Sequence, residues 1–162
     1  MTPIAPHSAR QGQRKTAAWA LLAALTLTPL AARAQEPIGQ VKTASGAAVI
    51  ERAGQSIAAT PGQHVYRSDV LVTRAHASIG VTFTDNSLLA LGSFSRLSLD
   101  EYKFNTTTHE GAMDVSLRRG TLAVKSGQIV HQTPEAMRVR TPTALLGVRG
   151  TEFVVRAGGD AG

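Results

Sequence analysis

The stretch that decides the fold is Ser78–Leu91, which reads SIGVTFTDNSLLAL. Ile79, Val81 and Phe83 alternate with small or polar residues, and this period of two is typical of a strand that buries one face. The alternation resumes after Asp85–Ser87, a segment whose short polar side chains bond to local backbone and tolerate a positive φ. The stretch therefore predicts two strands joined by a tight turn.

The same alternation recurs along the rest of the chain. Apolar residues two positions apart form the pairs Leu89/Leu91, Leu97/Leu99, Val115/Leu117, Leu122/Val124, Met137/Val139 and Phe153/Val155. Strand-breaking residues separate several of these pairs, at Gly120, Gly127, Pro134 and Pro142. After Val41 no segment has a helical stripe. We therefore predict one all-β domain of about ten short antiparallel strands, as stacked hairpins, a sandwich, a barrel or a solenoid.

The chain opens with the pattern of a secretory signal peptide. Arg14-Lys15 precedes the uncharged run Thr16–Ala32, and a small-x-small ending follows at Ala32-Arg33-Ala34. We expect cleavage between Ala34 and Gln35, which makes residues 1–34 the signal peptide and residues 35–162 a β domain with its core at about 39–156. The alternative is an uncleaved signal anchor, although the run is shorter than the about 20 apolar residues that span a bilayer.

Charge and cysteine content exclude several classes of function. Of the 17 lysines and arginines, four lie in the expected signal peptide, and the remaining 13 nearly balance the 11 carboxylates. These 13 are scattered, whereas a nucleic-acid interface gathers basic residues on one face. The chain has no cysteine, so it forms no disulfide and carries no lipid on a processed cysteine.

No pattern in the sequence indicates a catalytic or metal site. Asp100 and Glu101 are adjacent on an expected strand and diverge, and Glu110 and Asp114 flank Gly111 in an expected loop, so we interpret all four as solvated carboxylates. The expected domain has four histidines, which lack metal-ligand spacing: His64, His76, His109 and His131. No Gly-x-Ser-x-Gly elbow is present. We expect no catalytic residue, metal or cofactor.

Three aromatic residues could serve a polysaccharide site, which usually needs exposed rings. Alternation assigns Phe83 and Phe153 to the core, which leaves Tyr66, Tyr102 and Phe104. Tyr102 and Phe104 fall on one face of a strand. Core packing is the favoured interpretation of these rings, and a glycan platform is the alternative.

The last segments of the sequence carry two further predictions. In Gly147-Val148-Arg149-Gly150 we expect the glycines to supply a positive φ or a close backbone approach before a strand, and Arg149 to pair with an acidic neighbour. The strand Glu152–Arg156 is followed by the turn-like run Gly158–Gly162. We predict that this strand has an open edge, which favours pairing with another chain.

Five segments, in order along the chain, match the pattern of a known family. They read Phe83-Thr84-Asp85-Asn86-Ser87-Leu88, Ser95-x-Leu97, Leu117-x-x-Gly120, Val139-x-Thr141-Pro142 and Gly150-Thr151-x-Phe153-x-Val155. With the upstream run Gly62–Thr73 they resemble the FecR domain family over residues 39–155. The residues that carry the resemblance, which we expect to be structural, are Asp85, Asn86, Ser87, Gly120, Thr141, Pro142, Gly147, Arg149, Gly150, Thr151, Phe153 and Val155.

The resemblance implies a periplasmic all-β domain of stacked antiparallel strands. In its best-known setting this domain relays a signal from an outer-membrane transporter to an anti-sigma segment across the inner membrane. Three departures limit the transfer. Only Met1–Lys15 stands before the apolar segment in this sequence, we expect the strands that usually follow the Gly-Thr-x-Phe-x-Val motif to be missing, and Asn86 stands where the family often has glycine. Because asparagine tolerates the same backbone, we expect the turn to be preserved.

Together these observations predict a non-enzymatic interaction module of the bacterial envelope, periplasmic or secreted, that binds another envelope protein. Two alternatives remain. One is a signal-anchored regulator that takes part in transmembrane signalling and contacts the membrane through its uncleaved segment. The other is an envelope module that binds peptidoglycan or polysaccharide.

Overall fold

The computed structural model describes residues 35–158, most of which lie in strands. The predicted signal peptide at residues 1–34, with Ala34 of the cleavage site, lies outside the described residues, as do residues 159–162 of the predicted turn. In the described part the strands are β1 Gly39–Ser45, β2 Ala48–Arg52, β3 Gln55–Ala58, β4 His64–Val65, β5 Val70–Thr73, β6 Ser78–Phe83, β7 Leu88–Leu91, β8 Arg96–Phe104, β9 Gly111–Lys125, β10 Met137–Arg140, β11 Leu145–Gly147 and β12 Glu152–Ala157. One helix, α1, spans Gln128–Gln132.

The strands form one open, curled sheet that is folded about β9. What we call the first half-sheet has the order β4-β1-β6-β7-β9-β12, and the second has the order β3-β2-β5-β8-β9-β10-β11. Residues 120–125 of β9 belong to the first half-sheet, and residues 111–119 belong to the second. All pairings are antiparallel except that of β10 with β9. The all-β prediction is confirmed, with this one parallel pair as an addition.

The apolar residues that alternate in the sequence are the residues whose side chains are buried. In β6, Ile79, Val81 and Phe83 are buried, and in β7 Leu89 and Leu91 are buried. Both half-sheets turn their apolar faces inward onto one cluster. Its largest fully buried members are Ile50, Leu71, Ile79, Leu89, Leu91, Leu97, Leu99, Met113, Leu117, Leu122, Ile129 and Met137.

Gly120 does not separate two strands, as the sequence suggested, but bends a single long one. β9 continues through it for 15 residues, with a φ of +94° at Gly120. A Cβ at this position would overlap the backbone of Ser95, whose buried hydroxyl accepts the N–H of Thr121 at 3.0 Å. The prediction of a strand break was wrong because the positive φ and this close contact let the chain change direction without ending the pairing.

Helix α1 is a second feature that the periodicity did not predict. It has five residues, too few for a helical stripe to emerge from the sequence. Ile129 is buried, so the helix that connects β9 to β10 contributes to the core.

Gly120→Ala is expected to lower the free energy of unfolding by about 3 kcal/mol, because the new Cβ adds overlap to the cost of a positive φ. The matched control is Gly54→Ala, where φ is also positive, +78°, but no atom lies within 4 Å of the new Cβ. We expect about 1 kcal/mol for the control. Urea unfolding of both variants measures the difference. Equal losses would show that Ser95 does not constrain the bend.

Candidate functional site

The open edge predicted at Glu152–Arg156 is present. Strand β12 pairs antiparallel with β9, with Phe153 opposite Val124 and Val155 opposite Leu122. Its other side pairs with no strand among residues 35–158. The sequence prediction of an open edge is confirmed for this part of the chain.

β12 is the longest edge strand of the described sheet. Strand β4 has two residues, β11 has three and β3 has four, whereas β12 has six. Short edge strands offer few unpaired backbone groups to another chain, and long ones offer more. Among the described edges, β12 is therefore the one best able to accept an added strand.

The register of β12 fixes which backbone groups point outward. The N–H of Ser126 donates to the carbonyl of Thr151 at 2.8 Å, which makes these two residues a hydrogen-bonded pair in the β9–β12 ladder. In an antiparallel ladder such pairs alternate, so Phe153 and Val155 also bond to β9. Glu152, Val154 and Arg156 then direct their N–H and C=O groups away from β9, toward the open edge.

Side chains divide β12 into an anchored face and an exposed face. Val155 and Ala157 are buried, and Phe153 packs partly buried against the core. Val154 is 65 % exposed, and Glu152 and Arg156 on the same face are also exposed. The anchored face holds the strand in place, while the exposed face is free to contact another molecule.

An apolar surface adjoins the edge on the outer face of the first half-sheet. The register sets Ala90, Ala123 and Val154 side by side across β7, β9 and β12. Leu88, 40 % exposed, lies next along β7 and opposite Lys125. We call this surface, made of Leu88, Ala90, Ala123 and Val154, the outer patch. A strand added at β12 would extend the sheet beside it.

The chain reaches β12 through Gly147–Thr151. Gly150 has a φ of +137°, which confirms the prediction that a glycine supplies a positive φ before the strand. Its carbonyl accepts a hydrogen bond from the hydroxyl of Ser126 at 2.9 Å. Gly147 does not have a positive φ, and no atom lies within 4 Å of the place that a Cβ would take. The prediction that this glycine is required by the backbone therefore does not hold. Arg149 is exposed and forms no salt bridge within residues 35–158, contrary to the expected acidic partner.

The turn Thr84–Ser87 is a buried polar junction. Asp85 is fully buried, and its carboxylate accepts the N–H of Ser87 at 3.1 Å and the Ser87 hydroxyl at 2.7 Å. Ser87 Oγ in turn accepts the N–H of Gly127 at 2.9 Å. Asn86 has a φ of +67°, as its turn position requires. The junction connects β6–β7 to the end of β9, so these motif residues have a structural role.

Tyr102 completes this junction. Its hydroxyl accepts the N–H of Asp85 at 3.0 Å and lies 3.3 Å from Asp85 Oδ1. Burial raises the pKa of the Tyr102 phenol well above its ordinary value, so the group remains protonated and can donate. Its ring packs in the core beside Phe83, with centroids 5.5 Å apart. The favoured interpretation, core packing, is confirmed for Tyr102.

The other two aromatic candidates lie in different surroundings. The guanidinium carbon of Arg52 lies over the ring of Tyr66, 4.3 Å from the ring centroid. Phe104 is partly buried, with its ring parallel to that of His109 at 6.2 Å. With the Tyr102 ring buried, the three candidates do not share one exposed face.

Asp114 corrects the interpretation that all four candidate carboxylates are solvated. It lies within β9, not in a loop, and is 4 % exposed. Its carboxylate accepts Nε and Nη2 of Arg138 at 2.8 and 3.1 Å, across the parallel β9–β10 pair. The buried charge is paired, and the pair fastens β10 to β9.

The remaining carboxylate and histidine candidates are dispersed over the surface. Asp100 bonds to the Ser116 hydroxyl, Glu101 to Lys103 at 2.6 Å, and Glu110 is exposed in its turn. The exposed histidines lie on separate elements, His64 in β4, His76 and His109 in turns, and His131 in α1. Among residues 35–158, no three metal-ligating side chains come together.

Sequence reasoning missed a second ion pair that involves a buried carboxylate. Asp69 is 1 % exposed and accepts Nε and Nη2 of Arg52 at 2.8 and 2.7 Å, and it also accepts the N–H of Tyr66 at 2.8 Å. Hydrogen bonding to Asp69 raises the pKa of Arg52 above its ordinary value. The partners are far apart in sequence, so no local spacing indicated the pair.

The remaining motif residues form turns. Thr141 Oγ1 accepts the N–H of Ala144 at 3.0 Å, which closes the β10–β11 turn, and Pro142 is exposed within it. Gln35 of the expected cleavage site is the first described residue, is exposed, and donates its side-chain amide to the carbonyl of Arg67 at 3.0 Å. Between residues 35 and 158, no helix combines the length and the apolar character needed to cross a membrane.

Comparison with protein-family models matches residues 69–162 to the family described as FecR protein. The match begins at buried Asp69 and takes in the Asp85 junction, the whole of β9 and the open edge at β12. Comparisons with curated proteins and with solved structures gave no match.

Asp85→Asn is expected to lower the free energy of unfolding by about 2–4 kcal/mol, because the amide group turns a donor toward hydroxyl and N–H donors that the carboxylate accepted. The matched control is Asp100→Asn, where the carboxylate is exposed and water can replace its hydrogen bond to Ser116. We expect little change there. Urea unfolding followed by circular dichroism checks both variants. Equal stability of Asp85→Asn and the wild type would contradict the junction's role.

Proposed function

The chain belongs to the FecR family, an envelope-associated family of signalling and regulatory proteins, and we propose that it is a non-enzymatic interaction module that captures an extended segment of another envelope protein at β12. The observation that carries this proposal is the outward direction of the N–H and C=O groups of Glu152, Val154 and Arg156 at an open edge. Added strands gain affinity from backbone hydrogen bonds of this kind.

The fold supports capture in two further ways. β12 is held to β9 along its whole length and by buried Val155, so the edge is preorganised and little conformational entropy is lost on pairing. The outer patch beside the edge supplies apolar contacts to the side chains of an added strand. Backbone bonds provide affinity, and the patch provides selectivity.

We also propose that the module works without its first 34 residues. Small residues at Ala32 and Ala34 support processing before Gln35, and a periplasmic or secreted module would then act as a free partner of other envelope proteins. The signal-anchored regulator is the alternative outcome.

Val154→Pro is expected to abolish capture of the partner. It removes the outward N–H at the centre of the edge, and proline is tolerated where a strand N–H faces solvent, so the fold is preserved. The control, Val154→Ala, keeps the N–H, so capture should persist and be weakened only by the loss of apolar contact from one side chain. Each immobilised protein is incubated with an envelope extract, and bound proteins are identified by mass spectrometry. Capture that survives Val154→Pro in a folded protein contradicts strand addition, and the lack of any specific partner for the wild type contradicts protein binding.

Protein recovered from the envelope fraction is expected to have the intact mass of a chain that begins at Gln35 and lacks Trp19. Mass spectrometry after separation of membrane and soluble fractions measures this. A species that retains Trp19 and sediments with the membrane would replace the free module with the anchored regulator.

A further inference from the structure

We propose that β12 also pairs with β12 of a second copy of this chain, antiparallel and centred on Val154. This inference rests on the proposed function because it uses the same open edge. The observation behind it is the charge order on the exposed face, with Glu152 before Val154 and Arg156 after it.

A two-fold axis midway between the Val154 residues of the two copies makes this order of charges complementary to itself. Glu152 then lies opposite Arg156 of the second copy, and Arg156 lies opposite its Glu152. Cross-strand neighbours of opposite charge stabilise a sheet, and like charges directly opposite destabilise it. The two ion pairs flank a central contact between the two Val154 side chains, each 65 % exposed in the single chain.

Backbone geometry agrees with the same register. Glu152, Val154 and Arg156 direct their N–H and C=O groups outward, so each can form a hydrogen-bonded pair across the axis. On the inner face, partly buried Phe153 lies opposite Val155 of the second copy and gains apolar cover. The register centred on Val154 thus provides backbone hydrogen bonds, opposite charges and apolar contacts at the same time.

Other registers lose this agreement. A shift of two residues places Val154 opposite a charged residue and leaves charges without a cross-strand partner. A shift of one residue sends the side chains of the second copy to the opposite face, which exposes its Phe153 and Val155. The charges at Glu152 and Arg156 therefore select the register centred on Val154.

The pairing extends the outer patch into a larger surface. Ala90 and Ala123 lie beside Val154 in each copy, so the two patches meet at the axis. The intrachain pair between Lys125 and Glu152, 3.5 Å apart, is exposed and adds little to stability. It leaves Glu152 available to Arg156 of the second copy.

The test is a charge-swap experiment on the protein as recovered from the envelope, followed by sedimentation equilibrium over a wide concentration range. The wild type is expected to form dimers whose affinity falls as salt screens the ion pairs. Glu152→Arg and Arg156→Glu each place like charges opposite one another at both sites, and each should weaken self-association by about tenfold or more. Lys103→Glu, an exposed change on β8, is the control and should dimerise like the wild type.

Mixing the two charge variants is the decisive step. In the mixed pair both arginines of the Glu152→Arg chain face glutamates of the Arg156→Glu chain, so a heterodimer of about wild-type affinity is expected although neither variant dimerises well alone. A wild type that remains monomeric overturns the proposal. Charge variants that dimerise like the wild type, or a mixture that fails to associate, overturn the register. Partner capture by the wild type is measured in parallel. A wild type that remains monomeric but still captures a partner rejects this inference and leaves the proposed function standing.

Discussion

β9 is the strand on which the rest of the molecule depends, because both half-sheets pair with it. Its first part holds β8 and β10, and its last part holds β7 and β12. One strand can serve both only if it bends without ending, and Gly120 provides that bend at φ +94°. Ser95 fixes the direction, since its buried hydroxyl bonds to Thr121 and leaves no room for a side chain at position 120. The position of the candidate site depends on this bend, because β9 is the only strand within the described residues that pairs with β12.

Buried polar groups determine how this long strand begins and ends. Near its start, Asp114 pairs with Arg138 and draws β10 alongside in parallel. At its end, Ser87 bonds to Gly127 and connects the strand to the Asp85 junction. Buried charges and hydroxyls are costly when unpaired, so each of these contacts specifies one arrangement rather than merely adding stability. Apolar alternation alone does not distinguish one strand order from another, whereas separating these buried polar partners would cost free energy, so the contacts favour the observed order.

This division explains what the sequence could predict. Alternation across Ser78–Leu91 and the turn preference of Asn86 are local properties, and the structure has the strands and the turn where they indicated. Gly120 was interpreted as a strand break because a glycine within a strand pattern fits either a break or a bend. Only contact with Ser95, 25 residues earlier in the sequence, distinguishes the two, and no local pattern contains it. Asp114 was misread for the same reason, since Arg138 reaches it through a parallel pairing that periodicity does not reveal. The open edge was predicted from the turn-like run that follows Glu152–Arg156, whereas the outward direction of Val154 required the register.

The two occupants that we propose for the edge exclude each other. The N–H and C=O of Val154 bond to one strand at a time, so pairing with a second copy lowers the apparent affinity for a partner segment by the fraction of edges already occupied. Backbone hydrogen bonds do not discriminate, because any extended strand supplies them. Discrimination comes from the outer patch and from Glu152 and Arg156, whose charges disfavour a like charge at the opposite position of an added strand. A partner segment that displaces the second copy therefore needs a basic residue opposite Glu152 and an acidic residue opposite Arg156, or enough apolar contact with the outer patch to offset their absence. The charge order of β12 thus protects the edge from indiscriminate pairing and sets the chemistry that a competing strand must have.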